Sequence, residues 1–405
     1  MIPFFAEELS NINVLRATIA TESACDAAEC LEIKDSVLVL KDQVVADLKS
    51  IDIAVSTQNL VVAQPNDPSS PQPDNDDALI PWEVKLSLLK PPASLRSQQN
   101  DVKEWWTSKL LLQQSLEKQM RCQHCAQGLL DSAIKYKIKD LPSEHWYELV
   151  ECWICHETKP EEHQARMKPI LARPHVLLVG TTYFLIHPEN IVKGSLQVDP
   201  VVSKRANWDR GTLTKWIAVN CSKCENAVGE GQYCMEDGEM QLLAVKLFKY
   251  CIDLAPNPSE QPVFTDFLVS DLVNTAKIHA THRFLIQGRQ SQRIYALIWL
   301  FNWDTHIVHN DGYREKSDHT LVRERVMKVI YLDCTVTDAH VEKYVALWSN
   351  DKSTDHLIYP DTYCQQLVDT LNLSTLVLPP FMRKINHPAM VFTKNFSIGF
   401  IRRSG

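Results

Sequence analysis

Glycine is scarce, with 11 residues in a chain of 405, against a usual share near ~7%. A fold built around glycine-rich phosphate loops is therefore a poor expectation. Neither G-x-G-x-x-G nor the P-loop pattern occurs, and there is no G-x-S-x-G elbow. An excess of positive charge is also missing. Lys+Arg is 42 and Asp+Glu is 50, a net charge of −8, which disfavours direct nucleic-acid binding as the main role. Long apolar runs are absent too. The longest, around Ile294–Trp303, is about half of a membrane span, so no membrane partner is expected. The opening MIPFFAEELS carries acidic residues and no basic stretch, so no signal peptide is expected there.

What is present is an ordinary globular composition, 45% hydrophobic and 23% charged. The length allows two to four domains of roughly 100–200 residues. There are twelve cysteines, and six of them form three C-x-x-C pairs: Cys122/Cys125, Cys152/Cys155 and Cys221/Cys224. Such pairs without a signal peptide read as metal binding in a reducing compartment, the cytoplasm or the nucleus.

The pattern along the chain is β-rich. Residues 13–21, 30–40, 51–62 and 79–89 read as strands, rich in Val, Ile and Leu. The Pro/Asn/Asp-rich stretch 65–77 reads as a long loop. Residues 101–120 have helical spacing, and 174–186 reads as a buried hairpin turning at Gly180-Thr181. Further on, 263–279, 339–349 and 361–371 read as helices, and 282–287, 293–299 and 326–332 as strands. The expectation is an α+β, β-rich chain in three parts. Residues 1–100 form a β-sandwich-like part, 101–260 a zinc-knuckle domain, and 261–405 an α+β part.

Zinc takes four thiolate or imidazole ligands in a tetrahedron, and two C-x-x-C turns complete such a site. Pairing Cys122/Cys125 with Cys152/Cys155 would make a short ribbon. Pairing them with Cys221/Cys224 closes a longer domain and is favoured. Both of those turns read strand–knuckle–strand, with an apolar residue and a glycine just after, as in CQHCAQGL and CSKCENAVG. A structural zinc is the expected use, and buried cysteines without metal are the alternative.

The stretch LPSEHWYELVECWICH (141–156) has Ser143 as a helix N-cap and an apolar face of Trp146, Leu149, Val150 and Trp153. A packed helix, a second ligand set and a partner-docking patch are the readings it allows.

This stretch, together with NCSKCENAVGE, RFLIQGRQSQRIYALIWLFNWDTHIV, VMKVIYLDC and the run from EKYVALWSN to PPFMRKIN, resembles the HECT-like ubiquitin-conjugating-enzyme-binding family. The resemblance covers roughly 120–395. It implies a ubiquitin ligase whose partners are a ubiquitin-conjugating enzyme and ubiquitin. In that reading Trp153, Cys155 and His156 contribute to docking. The run LIYPDTYC (357–364) resembles the HECT pattern of a Pro, a Thr and then the transferring Cys, which makes Cys364 the implied catalytic residue. A cap at Asp361 or Thr362 would place Cys364 in a first helical turn, where the dipole favours thiolate. The alternative is a core thiol. Fungal members resemble a factor for pre-mRNA cleavage and polyadenylation that protects the cleavage endonuclease. That implies a second role, a non-catalytic zinc-stabilised adaptor of the 3′-end-processing complex. The two knuckles also resemble the zinc domain of Yippee, Mis18 and cereblon-type proteins, which implies that Cys122, Cys125, Cys221 and Cys224 share one zinc.

Overall fold

The computed structural model describes residues 2–21, 26–64, 79–89, 102–115, 120–141, 172–209, 213–254, 261–313, 320–385 and 393–404. The chain divides into two units. The first comprises Met1–Val102, Ala280–Gly288 and Arg293–Gly405, and the second Lys103–His279 and Arg289–Gln292.

The first unit begins with β1 (Phe4–Leu9) and β2 (Val14–Thr21), paired antiparallel. Helix α1 (Ala27–Cys30) is capped by Asp26, whose carboxylate accepts the Ala28 N–H at 2.9 Å. A meander follows: β3 (Leu31–Lys34), β4 (Val37–Leu40) and β5 (Gln43–Asp47). Its two tight turns place Asp35-Ser36 and Lys41-Asp42 at positive φ, the left-handed conformation such hairpins require. Residues 30–40, expected as one strand, are thus a hairpin. Of the expected strand 51–62, only the end is extended, in β6 (Val61–Ala63). The expected 65–77 loop lies outside the described residues. Strand β7 (Ile80–Ser87) pairs with both β2 and β6. Phe4, Ala6, Leu15, Ile19, Leu38, Leu40, Trp82 and Val84 share one core between meander and sheet. A large apolar side chain in such a core is worth about 1.5–3 kcal/mol when fully removed from water.

The second unit begins with α2 (Ser108–Gln114), far shorter than the expected 101–120 helix. Trp106 at φ 50° and Ser115 at φ 50° bound it, since left-handed backbone cannot continue an α-helix. Then come β8 (Arg121–Cys122), β9 (Lys137–Asp140), β10 (Val176–Val179), β11 (Tyr183–Ile186) and β12 (Leu196–Val198). The expected 174–186 hairpin is β10–β11. Helix α3 (Pro200–Arg205) starts at Asp199, whose carboxylate accepts the N–H groups of Val201 and Val202. A second meander, β13 (Thr214–Cys221), β14 (Ala227–Glu236) and β15 (Glu239–Phe248), precedes β16 (Ile252–Asp253) and α4 (Phe264–His279). The sheet runs β12-β13-β14-β15-β11-β10-β9, and β8 pairs with β16 apart from it. Gly229 is required where β14 and β15 meet. A Cβ there would come 1.8 Å from the Lys246 carbonyl oxygen, far inside van der Waals contact.

The first unit resumes with β17 (Arg283–Gly288), β18 (Ile294–His309) and β19 (Val322–Asp333). Helix α5 (Ala339–Ser349), capped by Asp338, leads to β20 (Thr354–Tyr359), α6 (Asp361–Thr375) and β21 (Ser397–Arg402). Strand β18 pairs with β17 early and with β1 late, Phe5 facing His309. Strands β1, β2, β6 and β7 therefore belong to the same nine-stranded sheet as β17 to β21, while β3, β4 and β5 form a sheet of their own. This differs from the expected separation of 1–100 from 261–405. Pairing across some three hundred positions leaves no local signal. Glu8, His306 and Arg325 stand in one row across β1, β18 and β19. Beside them Arg323 grips Glu8 at 2.6 and 2.9 Å, and Arg325 grips Asp304 at 2.8 and 2.7 Å. At β21, the Ser374 hydroxyl accepts the Phe400 N–H at 2.8 Å. The Thr375 hydroxyl donates to the Ile398 carbonyl at 2.7 Å, and the Ile398 N–H donates to the Arg383 carbonyl. Among the described residues no helix is long and apolar enough to cross a membrane.

Candidate metal centre

Two turns of the second unit have the same construction. In the first, the Ala126 N–H donates to the Cys122 carbonyl at 2.9 Å, and the Cys122 N–H to the Gln127 carbonyl at 2.8 Å. In the second, the Glu225 N–H donates to the Cys221 carbonyl at 2.8 Å, and the Cys221 N–H to the Asn226 carbonyl at 2.9 Å. Ala126 (φ 57°) and Glu225 (φ 61°) both take left-handed backbone to close their loops. The first turn follows β8 and is anchored by Ile252 of β16 and by the Gln123 N–H on the Cys251 carbonyl. The second joins β13 to β14.

The turns bring four sulfurs together. Cys122 Sγ lies 3.6 Å from Cys224 Sγ, and Cys125 Sγ 3.5 Å from Cys221 Sγ. All four lie within 4.8 Å of one another. A tetrahedral ion with sulfur bonds of about 2.3 Å has sulfur–sulfur edges of about 3.8 Å, so the cluster has the size and donor set of a four-thiolate metal site. Among the described residues it is the one group of three or more ligating side chains converging in this way. The alternative partners Cys152 and Cys155 lie outside the described residues.

Burial pushes the Cys122 thiol up, opposed by the backbone N–H groups of Cys125 and His124. Burial likewise raises Cys221, against the N–H groups of Lys223 and Cys224. For Cys224 burial also pulls upward, but the side chain and N–H of Asn226 and the neighbouring thiols outweigh it and bring the group down to about 7. Amide N–H groups aimed at sulfur favour thiolate, the form that binds metal. Gln127 reaches across, its Nε2 donating to Ser222 Oγ at 3.3 Å and its Oε1 accepting from Cys221 Sγ at 3.5 Å. Gln127 and Asn226 were not singled out from sequence. The signal was there, because each stands two residues after its knuckle's second cysteine.

Cys364 sits in the first turn of α6, as the sequence implied, but its side chain is fully buried. Its thiol donates to the carbonyls of Gln287 at 3.5 Å and Tyr359 at 3.6 Å. Leu367, Val368 and Leu371 bury the same helix face. This is the setting of a core thiol, 0% exposed, whereas a transferring cysteine needs access. Trp153, Cys155 and His156 lie outside the described residues.

Comparison with known proteins adds to this geometry. A bovine protein (Bos taurus) named as an E3 ubiquitin-protein ligase is 25% identical over 294 residues, covering 67% of this chain and 72% of that protein. A human protein of the same name gives the same identity and coverage. An uncharacterized protein of Saccharomyces cerevisiae is 22% identical over 293 residues, covering 71% of this chain and 72% of its own length. No solved structure matches. The family described as HECT-like ubiquitin-conjugating enzyme (E2)-binding matches residues 7–389, both units included. With nearly its whole length inside that match, the chain belongs to the HECT-like ubiquitin-conjugating-enzyme-binding family.

Proposed function

We propose that this protein binds a ubiquitin-conjugating enzyme and supports ubiquitin transfer, with its second unit held by one structural zinc. The family match over residues 7–389 carries the reading, and relatives named as ubiquitin ligases support it. Cys122, Cys125, Cys221 and Cys224 would hold the zinc. Four protein ligands close the coordination shell, so the ion would supply cohesion between the knuckles rather than an open position for chemistry. The burial of Cys364 supports a transfer in which ubiquitin stays on the conjugating enzyme's own cysteine until it reaches the acceptor. Trp153, Cys155 and His156 are the proposed docking residues.

The test is a binding and discharge assay. The full chain is titrated against a panel of ubiquitin-charged conjugating enzymes. Binding to at least one of them, with faster ubiquitin discharge, is expected, and Trp153→Ala should weaken it. No binding across the panel would overturn the reading. A second reading is favoured by the same burial of Cys364. It is a zinc-stabilised adaptor of the nuclear pre-mRNA 3′-end endonuclease complex, without any transfer step. Retained endonuclease binding with no effect on discharge would select it.

A further inference from the structure

In each knuckle the first cysteine, Cys122 or Cys221, is buried, and the second, Cys125 or Cys224, is partly accessible. Two of the sulfur contacts in the cluster, at 3.6 and 3.5 Å, run between the knuckles. They join Cys122 to Cys224 and Cys125 to Cys221, residues 102 and 96 positions apart in the chain. We propose that the cluster is also a reversible redox site. A hydroperoxide converts its four thiolates into two disulfides, Cys122–Cys224 and Cys125–Cys221, and not into a disulfide within either C-x-x-C. The inference rests on the zinc reading above and goes beyond it.

The chemistry balances for each pair. The accessible thiolate, Cys224 or Cys125, attacks the peroxide oxygen. The O–O bond breaks, hydroxide leaves and takes a proton, and a sulfenic acid remains on sulfur. The buried partner then attacks that sulfur and displaces a second hydroxide, which leaves as water. Two electrons pass from the sulfur pair to one hydrogen peroxide, which becomes two waters. Once both pairs have reacted, the four thiolate charges are gone and with them the affinity for a divalent cation. Attack needs an accessible sulfur, and resolution needs a partner within reach, here 3.5–3.6 Å away. Each contact pair combines one of each kind.

The consequence is specific to the crossed pairing. Disulfides within a knuckle would leave no covalent link between the two turns once the metal departs. Crossed disulfides hold the turn after β8 to the turn between β13 and β14, so the unit keeps its closure through an oxidising episode. A thiol reductant then restores the ligands.

The experiment uses the full-length protein with its zinc content measured at the outset. Hydrogen peroxide is added stepwise. Released zinc is read with a chromogenic chelator, and the linkages are mapped by mass spectrometry of unreduced peptides. The expected result is zinc release with the Cys122–Cys224 and Cys125–Cys221 linkages, both reversed by dithiothreitol and added zinc. In Cys224→Ser, the Cys125–Cys221 linkage alone should persist. Linkages Cys122–Cys125 and Cys221–Cys224, irreversible sulfinic acids, or zinc retained against excess peroxide would each overturn the proposal. A protein that purifies without zinc would instead overturn the metal reading, and the linkage map would still decide this one.

Discussion

The ammonium of Lys249 donates to the carbonyl oxygen of Trp105 at 2.8 Å and to that of Trp106 at 3.3 Å. The lysine is 2% exposed. It ties the segment before α2 to the end of β15, and it lies 5.2 Å from the centre of the Phe184 ring. Trp106, held in left-handed backbone, packs its ring 6.0 Å from Phe267 of α4.

Replacing Lys249 with methionine keeps the aliphatic stem and removes the donor. The Trp105 and Trp106 carbonyls lose a charged partner, and a lost hydrogen bond to a charged group costs about 1.5–3 kcal/mol. Urea unfolding of Lys249→Met should show stability lowered by that amount, read from the midpoint. An unchanged midpoint would mean that the lysine merely fills space.

Metal removal should act on the same unit. Structural zinc contributes folding free energy outright, about 10–16 kcal/mol in isolated finger peptides near neutral pH. Here the sheet and its core share the task, so a smaller loss is expected. Stripping with a strong chelator at neutral pH, followed by calorimetry, should show a large fall in melting temperature that added zinc reverses. Cys221→Ala should bind less than one zinc per chain by elemental analysis.

His306 gives the pH dependence. Burial lowers its pKa, with Glu8 and Asp304 opposing and Arg323 and Arg325 reinforcing. The unfolded chain, with its histidine near ~6.5, therefore binds a proton that the folded chain refuses. Stability from this group is fully present above the unfolded value and is lost as pH falls from there through the folded value. Melting temperature should decline on going from about pH 7.5 to about 5.5, and His306→Gln should flatten that decline. An equal decline in the variant would assign the effect to other groups.

Much of the candidate site was legible because its grammar is local. Cys122-x-x-Cys125 and Cys221-x-x-Cys224 share their flanking apolar residues and glycines, and the structure brings these four sulfurs together. Helices α4 and α5 fall where the sequence reads helix, over 263–279 and 339–349. The hairpin β3–β4 was not, because its turn uses Asp35 and Ser36 in place of glycine. The 101–120 helix was overread, because an apolar stripe does not report that Trp106 takes positive φ. Cys364 fell in the expected helical turn, yet which way that turn faces is decided by β17 and β20. The union of β1 with β18 depends on a partner some three hundred residues away. Local pattern carries no trace of it.

The hydroxyls of Ser374 and Thr375 reach further than the packing of one helix. Strand β21 is a sheet margin, and a margin normally offers bare amides to any passing extended chain. Here the outward N–H groups of Ile398 and Phe400 are already engaged by Arg383 and Ser374. A neighbouring copy or a client peptide finds no free ladder rung at those two residues. An extended chain pairing there would first have to displace the Arg383 carbonyl and the Ser374 hydroxyl, so the helix end and the segment after it guard the middle of this margin.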